Sequence, residues 1–203
     1  MAKQKRPWNK DLIIGRKKHL TPEQVATIRT LLSQKGNVRN MALFNVAIDS
    51  SLRGVDLMAL NVSDVLDGFE IKERVTVEQS KTKGRVSFGL RDNTRVALKE
   101  WIDTEDKDYG EPLFTSLKGN KGSRLSVDHY QHLVKQWISM AQLDAAQYGS
   151  HSLRRTRVAH IYRKTANLRV AQVLLGHKNI ESTTRYLGIE EEEAMDIAKQ
   201  FEI

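Results

Sequence analysis

A mainly helical α+β domain with a small three-stranded antiparallel sheet is the fold that this 203-residue chain predicts. Three observations predict it. Apolar residues recur at helical spacing through most of the chain, often behind recognisable capping residues. Three short runs rich in β-branched and aromatic residues crowd between residues 69 and 88. No internal repeat and no interdomain linker interrupts the pattern, and the length suits one well-buried domain with tails.

The elements follow in order. Thr21-Pro22-Glu23-Gln24 is a capping box with proline at the first helical position, so order begins there. Val25, Ile28, Leu31 and Leu32 continue the helix, and Gly36 stops it. A second helix carries Met41, Leu43, Phe44, Val46, Ala47 and Ile48 on a broad apolar face. It runs into Ser50-Ser51-Leu52-Arg53 and then a short helix with Val55, Leu57, Met58 and Leu60. Residues 69–71, 75–77 and 86–88 predict the strands, the last two joined by the polar turn Ser80-Lys81-Thr82-Lys83-Gly84. Helices are expected at 93–102, 127–143, 152–164, 168–175 and 190–201, with loops at 103–111 and 119–122. The organisation expected is a basic arm (1–18), a domain (19–189) and a C-terminal helix (190–203). Four glutamates at 190–193 load that last helix's first turn, favourably for its dipole. Ala194, Ile197, Ala198 and Phe201 form a narrow apolar stripe along it.

Composition narrows the class of function. No run of about 18 apolar residues exists to span a bilayer, and the N-terminus lacks the apolar core of a secretion signal. With no cysteine, disulfides and thiolate metal sites are excluded. The cytoplasm, at the nucleoid, is the default location. A net charge of +8 favours a polyanionic partner. Residues 1–18 hold seven Lys/Arg against Asp11, whereas residues 187–203 hold six acids against Lys199. The cationic surplus therefore sits in the arm and the body.

Four groups near the C-terminal end form a set suited to attack on a phosphodiester. They are His151 and Arg154 in His-Ser-Leu-Arg, His177 in Leu-Leu-Gly-His, and Tyr186 in Thr-Thr-Arg-Tyr. Phosphodiesters repel nucleophiles, so transfer needs cations on the non-bridging oxygens, an activated nucleophile and an acid for the leaving oxygen. Arginine donates two hydrogen bonds to phosphate and stays charged. A phenol has a reference pKa of about 10 and can form a covalent phosphotyrosyl link. Singly, each motif has an ordinary explanation: a basic helix face, a C-cap glycine with an exposed histidine, a packed aromatic. Jointly and in this order, they are specific.

That combination, over residues 151–186, closely resembles the signature of the tyrosine recombinase or phage integrase family. Upstream, Asp49-Ser50-Ser51-Leu52-Arg53-Gly54-Val55-Asp56-Leu57 resembles the family's first arginine motif. Val77-Glu78-Gln79-Ser80-Lys81-Thr82 resembles the β-hairpin lysine motif of lambdoid integrases. The resemblance covers roughly residues 20–190 and implies the family's catalytic-domain fold. It implies that Arg53 and Arg154 clamp the scissile phosphate and that Lys81 protonates the leaving 5′-oxygen. His151 would accept or relay the tyrosine proton, His177 would hydrogen-bond a phosphate oxygen, and Tyr186 would form a 3′-phosphotyrosine. Asp56 would support the site by fixing His151 or Arg53. Lys83 is a rival to Lys81 two residues on, with the Ser-Lys-Thr setting favouring Lys81. No cofactor and no metal are implied, because the phosphotyrosine stores the bond energy.

Two departures from the family pattern stand out. Ser50-Ser51 replaces the usual glycine before the first arginine motif, which an ordinary turn there would tolerate. No N-terminal core-binding domain is expected ahead of the first helix, and in this the chain resembles minimal forms such as the fimbrial phase-switch invertases. Double-stranded DNA is the expected partner, gripped by Arg16, Lys17 and Lys18 of the arm and by Lys83, Arg155 and Arg157. The resemblance suggests a homotetramer on DNA, a monomer or weakly associating species when free, and a possible accessory DNA-bending or clamp protein. Site-specific recombination, whether integration, excision or inversion, is the function this implies. Two alternatives are a type IB topoisomerase-like relaxase and a DNA-binding regulator without catalysis. The Leu-Gly-His motif and the trailing helix oppose the first; retention of all six catalytic-type groups opposes the second.

Overall fold

The computed structural model describes residues 17–117, 122–187 and 199. Most of the arm, including Arg16, and nearly all of the expected C-terminal helix lie outside the described residues. Nine helices and four strands run in the order α1 (Pro22–Gln34), α2 (Val38–Ser50), α3 (Gly54–Ala59), α4 (Val62–Val65), β1 (Leu66–Asp67), β2 (Glu70–Ile71), β3 (Arg74–Glu78), β4 (Arg85–Gly89), α5 (Asp92–Thr104), α6 (Val127–Met140), α7 (Ser150–Thr165), α8 (Leu168–Leu175) and α9 (Ile180–Leu187) among them. Helix α1 has the expected capping box: Thr21 Oγ1 accepts from the Gln24 amide, and the Gln24 side chain accepts from the Thr21 amide.

Helix α2 is the centre of the fold because its sequence is apolar or small on every side. Ala42 through Ser50 are all buried, and α1, α5, α7 and β4 pack around it. A helix buried all round has to present its polar groups to partners. Asp49 does so: its Oδ2 accepts from the Arg91 amide at 3.0 Å and the Thr94 hydroxyl at 2.6 Å. Arg157 of α7 donates to the Asp49 carbonyl at 2.7 Å and to the Gly89 carbonyl at 3.0 Å. These bonds register α7 and the start of α5 against the end of α2, just before Arg53. On the other flank, Trp137 of α6 meets Phe44 edge-on at 5.6 Å.

The mainly helical class with antiparallel strands holds, but the expected three-stranded sheet does not. Two separate two-stranded ladders are described instead, β1–β2 and β3–β4. Lys72 and Glu73 separate β2 from β3, and the Lys72 amide donates to the Val65 carbonyl at 2.8 Å, which continues the β1–β2 pairing. Residues 70–71 fold back on Leu66 and Asp67, across a turn through Gly68 at φ +57°. Strand β3 pairs with β4 from Arg74↔Gly89 to Glu78↔Arg85. Val75, Val86 and Phe88 are buried, which fixes the register. The turn at the tip, residues 79–84, carries the Ser-Lys-Thr motif.

Helix α9 was not among the expected elements, although it carries Tyr186. With α7 and α8 it encloses a second small core of Val158, Ala171 and Leu175, against which Leu174, Tyr186 and Leu187 pack.

Candidate active site

Arg53 sits at the junction of α2 and α3. Ser51 ends α2 in the left-handed region, at φ 51° and ψ 28°. The turn is therefore not an ordinary one, and the serine in the glycine position carries a conformational cost of about 1–2 kcal/mol. Arg53 then extends and opens α3. Tyr130 of α6 lies close under this opening turn, its ring 3.4 Å from where a Cβ on Gly54 would stand.

Asp56, in the first turn of α3 and buried, makes two contacts. Its Oδ1 accepts from the Ser80 amide at 2.8 Å, and its Oδ2 lies 3.7 Å from the Arg53 guanidinium. Asp56 thus ties Arg53 to the turn that bears Lys81. Of the two roles considered for it, the contact is with Arg53.

Helix α7 begins at Ser150, so His151 lies in its first turn and Arg154 on the same face. Arg154 is 3% exposed. One of its terminal nitrogens donates to the Leu175 carbonyl at 3.0 Å. Its Nε and NH1 are buried with no hydrogen-bond acceptor, as is NH1 of Arg53. Buried guanidinium donors without acceptors are expensive in a fold and mark a place suited to an anion.

His177 follows the C-cap of α8. Gly176 takes φ +64°, and a Cβ there would come within 2.3 Å of Val86 and 2.9 Å of Gln79. Only glycine fits both the dihedral and the approach of the hairpin. Gln172 holds the segment by donating to the His177 and Lys178 carbonyls, both at 3.1 Å. The imidazole Nδ1 is 3.1 Å from the Thr183 hydroxyl. Partial burial, then Arg154 and Arg53, push the His177 pKa down to about 4. The ring is therefore neutral at pH 7 and can hydrogen-bond without adding charge.

Tyr186 projects from α9 into the same space and within the same chain. Its ring centroid is 5.4 Å from that of His177, 5.6 Å from the Arg154 guanidinium carbon and 5.0 Å from that of Arg155. The hydroxyl donates to the main-chain carbonyl of His151 at 3.4 Å. Burial raises the phenol's pKa, opposed by the positive charges of Arg154, Arg155 and Arg53. Burial, then Arg154, Arg155 and Arg53, lowers that of His151 and favours a neutral imidazole able to accept a proton.

Lys81 is exposed on the hairpin turn and makes no hydrogen bond or ion pair among the described residues. Its rival Lys83 takes φ +53°, is exposed and lies 3.8 Å from Glu78. The expected DNA-contacting residues divide differently. Lys17 and Lys18 are exposed, but the Lys17 ammonium donates to the Ala146 carbonyl and the Lys18 amide to the Gln147 carbonyl. Arg155 is buried and donates to the Lys17 carbonyl at 2.8 Å, and Arg157 is committed to Asp49 and Gly89. These bonds tie one Arg155 nitrogen to the segment before α1 and one Arg157 nitrogen to the end of α2 and to β4. Sequence reasoning missed Gln79, Gln172 and Thr183. Thr183 had a signal, because it lies three residues before Tyr186 and shares its helix face.

The phage integrase family profile matches residues 18–193. A probable integrase/recombinase, YoeC, of Bacillus subtilis (strain 168) is 28% identical over 180 residues, covering 88% of this chain and 93% of its own length. The tyrosine recombinase XerC of Vibrio atlanticus (strain LGP32) is 31% identical over 158 residues, 76% of this chain and 48% of that protein. The chain thus spans nearly all of one relative and about half of the other. The crystal structure of XerA recombinase has a TM-score of 0.72 at 20% identity, covering 92% of this chain and 65% of that one. A lambda integrase dimer bound to a COC′ core site gives 0.64 at 22%, covering 85% and 48%. A family match across most of the chain, meeting a tyrosine packed on buried arginines, places this protein in the phage integrase family of tyrosine recombinases.

Proposed function

We propose that this protein recombines double-stranded DNA at specific sites by forming a 3′-phosphotyrosine at Tyr186. The observation that carries the reading is the packing of the Tyr186 ring against Arg154, beside arginine donors of Arg154 and Arg53 that are buried and lack acceptors. The phenolic oxygen attacks phosphorus, a phosphotyrosyl bond forms, and the bond to the 5′-oxygen breaks. Arg53 and Arg154 hold the non-bridging oxygens as negative charge builds. His151 receives the phenol's proton, and His177, fixed by Thr183, bonds a phosphate oxygen. Lys81 gives a proton to the departing 5′-oxygen, which would otherwise leave as a poor alkoxide. A 5′-hydroxyl from a partner strand then reverses the step. The phosphotyrosine conserves the bond energy, so neither nucleotide nor metal is needed, and EDTA leaves cleavage intact.

The DNA-bound form is a homotetramer assembled from free monomers. The resemblance suggests that residues 190–203 are exchanged between protomers and so control which tyrosine acts, packing back on their own domain being the other reading. Lys17, Lys18 and Lys83, being exposed, and Arg16 of the arm supply phosphate contacts. An accessory clamp or DNA-bending protein fits the same scheme.

A nicked suicide duplex tests the chemistry, because loss of the short fragment after cleavage traps the covalent complex. The duplex is built on sequence to which the protein becomes linked in fragmented DNA of its own source. The wild type accumulates adduct and Tyr186→Phe forms none. Adduct formation by Tyr186→Phe would move the nucleophile elsewhere.

A further inference from the structure

Gln79, at the base of the Lys81 turn, reaches across to the arginine site from the side of Arg154. It is 1% exposed, and both ends of its amide are engaged. Its Oε1 accepts from the Thr82 hydroxyl at 2.7 Å, one residue beyond Lys81. Its Nε2 donates to the Leu175 carbonyl at 3.3 Å, the same oxygen that Arg154 reaches at 3.0 Å. Its main chain closes the turn as well, with the amide donating to the Gly84 carbonyl and the carbonyl accepting from the Lys83 amide, both at 2.9 Å. Gly176, the residue after Leu175, has no Cβ, which is what lets this amide and Val86 come so close.

We propose that Gln79 is a positioning residue that holds the Lys81 turn in register with Arg154, so that the ammonium stands beside the leaving oxygen when the phosphate is clamped. An exposed lysine on a turn is otherwise free to wander, and a misplacement of about 1 Å at a reacting centre can cost on the order of 100-fold in rate. Asp56 binds the Ser80 amide from the Arg53 side, while Gln79 binds from the Arg154 side. The turn is thereby anchored to both arginines. This rests on the reading of Lys81 as the acid for the leaving group, and the test separates the two claims.

The suicide duplex is made in two forms, one with the natural 5′-bridging oxygen and one with sulfur in its place. A thiolate, with a pKa of about 8.5 for its thiol, leaves without receiving a proton. The rest of the step is unchanged: the Tyr186 oxygen bonds to phosphorus and the bond to sulfur breaks. Gln79→Met keeps the side chain's bulk and removes both side-chain bonds. It is expected to slow cleavage of the oxygen duplex by about tenfold or more, and of the sulfur duplex by less than about threefold. Lys81→Ala should show the same pattern, more strongly. Thr82→Val, at a half-buried position, removes only the bond to Oε1; it should show a weaker version and carries the test if Gln79→Met fails to fold. Equal slowing on both duplexes by Gln79→Met, or by Thr82→Val in its place, overturns the role given to Gln79 while leaving Lys81 standing. Failure of sulfur to rescue Lys81→Ala overturns the acid role of Lys81 and this proposal with it.

Discussion

Partial burial and the neighbouring Arg154 and Arg53 keep the His177 imidazole uncharged at neutral pH, with a pKa of about 4 against an ordinary 6.5. Between those values the unfolded chain binds a proton that the folded one refuses, so stability rises with pH across that window. The contribution is complete above 6.5 and is lost as pH falls from 6.5 towards 4. Urea unfolding at pH 7 and pH 4.5 should show His177→Gln losing less stability on acidification than the wild type; an equal loss would place the acid sensitivity elsewhere. Gly176 offers a second test at single-residue scale. Gly176→Ala meets both a left-handed dihedral and Val86 at 2.3 Å, so it should cost about 2–4 kcal/mol. Gly36 has a similar φ, +60°, with nothing within 4 Å, and Gly36→Ala should cost only about 1–2 kcal/mol. Equal losses in denaturant melts would mean that the hairpin is free to move away from α8.

Elements are joined at this site by a few buried polar groups. Asp56→Ala would release the Ser80 amide and leave Arg53 without its nearby carboxylate. It should destabilise the fold by about 1–3 kcal/mol and speed hydrogen exchange in residues 79–84, while exchange in α2 stays slow. The same level shows what the sequence could and could not tell. Capping and apolar spacing place α1, α2, α8 and the β3–β4 hairpin close to where they stand, because those signals are local. Helix α9 escaped notice because Ser182, Thr183 and Thr184 are weak helix formers, and its position depends on packing with α7 and α8. The three-stranded sheet was mistaken because pairing partners are not encoded in the strand pattern itself. Arg53, His151, Arg154, His177 and Tyr186 were legible as residue types in a set order. The bonds of Gln79 and Asp56 were not, since they join positions 96 and 24 residues apart.

Across the whole molecule, the proposed reading has the basic body and arm supply a DNA affinity that is largely electrostatic. Raising salt from 50 to 200 mM should weaken DNA binding by about tenfold or more, measured by fluorescence anisotropy. A flat response would mean that few phosphates are contacted. Arg155 and Arg157 bear on this expectation, since their donors serve Lys17, Asp49 and Gly89. In the proposed reading, grip comes mainly from the exposed lysines, the arm and the arginines at the site itself. The long-range bonds from α7 to α2 and to the segment before α1 explain why those buried cations do not scatter. They join α7, which carries Arg154, to the end of α2 just before Arg53.

The most direct measurement identifies the atom joined to DNA. The trapped covalent complex is digested with nuclease and protease, and the modified peptide is sequenced by mass spectrometry. The account predicts a nucleotide attached through its 3′-phosphate to Tyr186. A nucleotide on any other side chain, or a link through a 5′-phosphate, would contradict it.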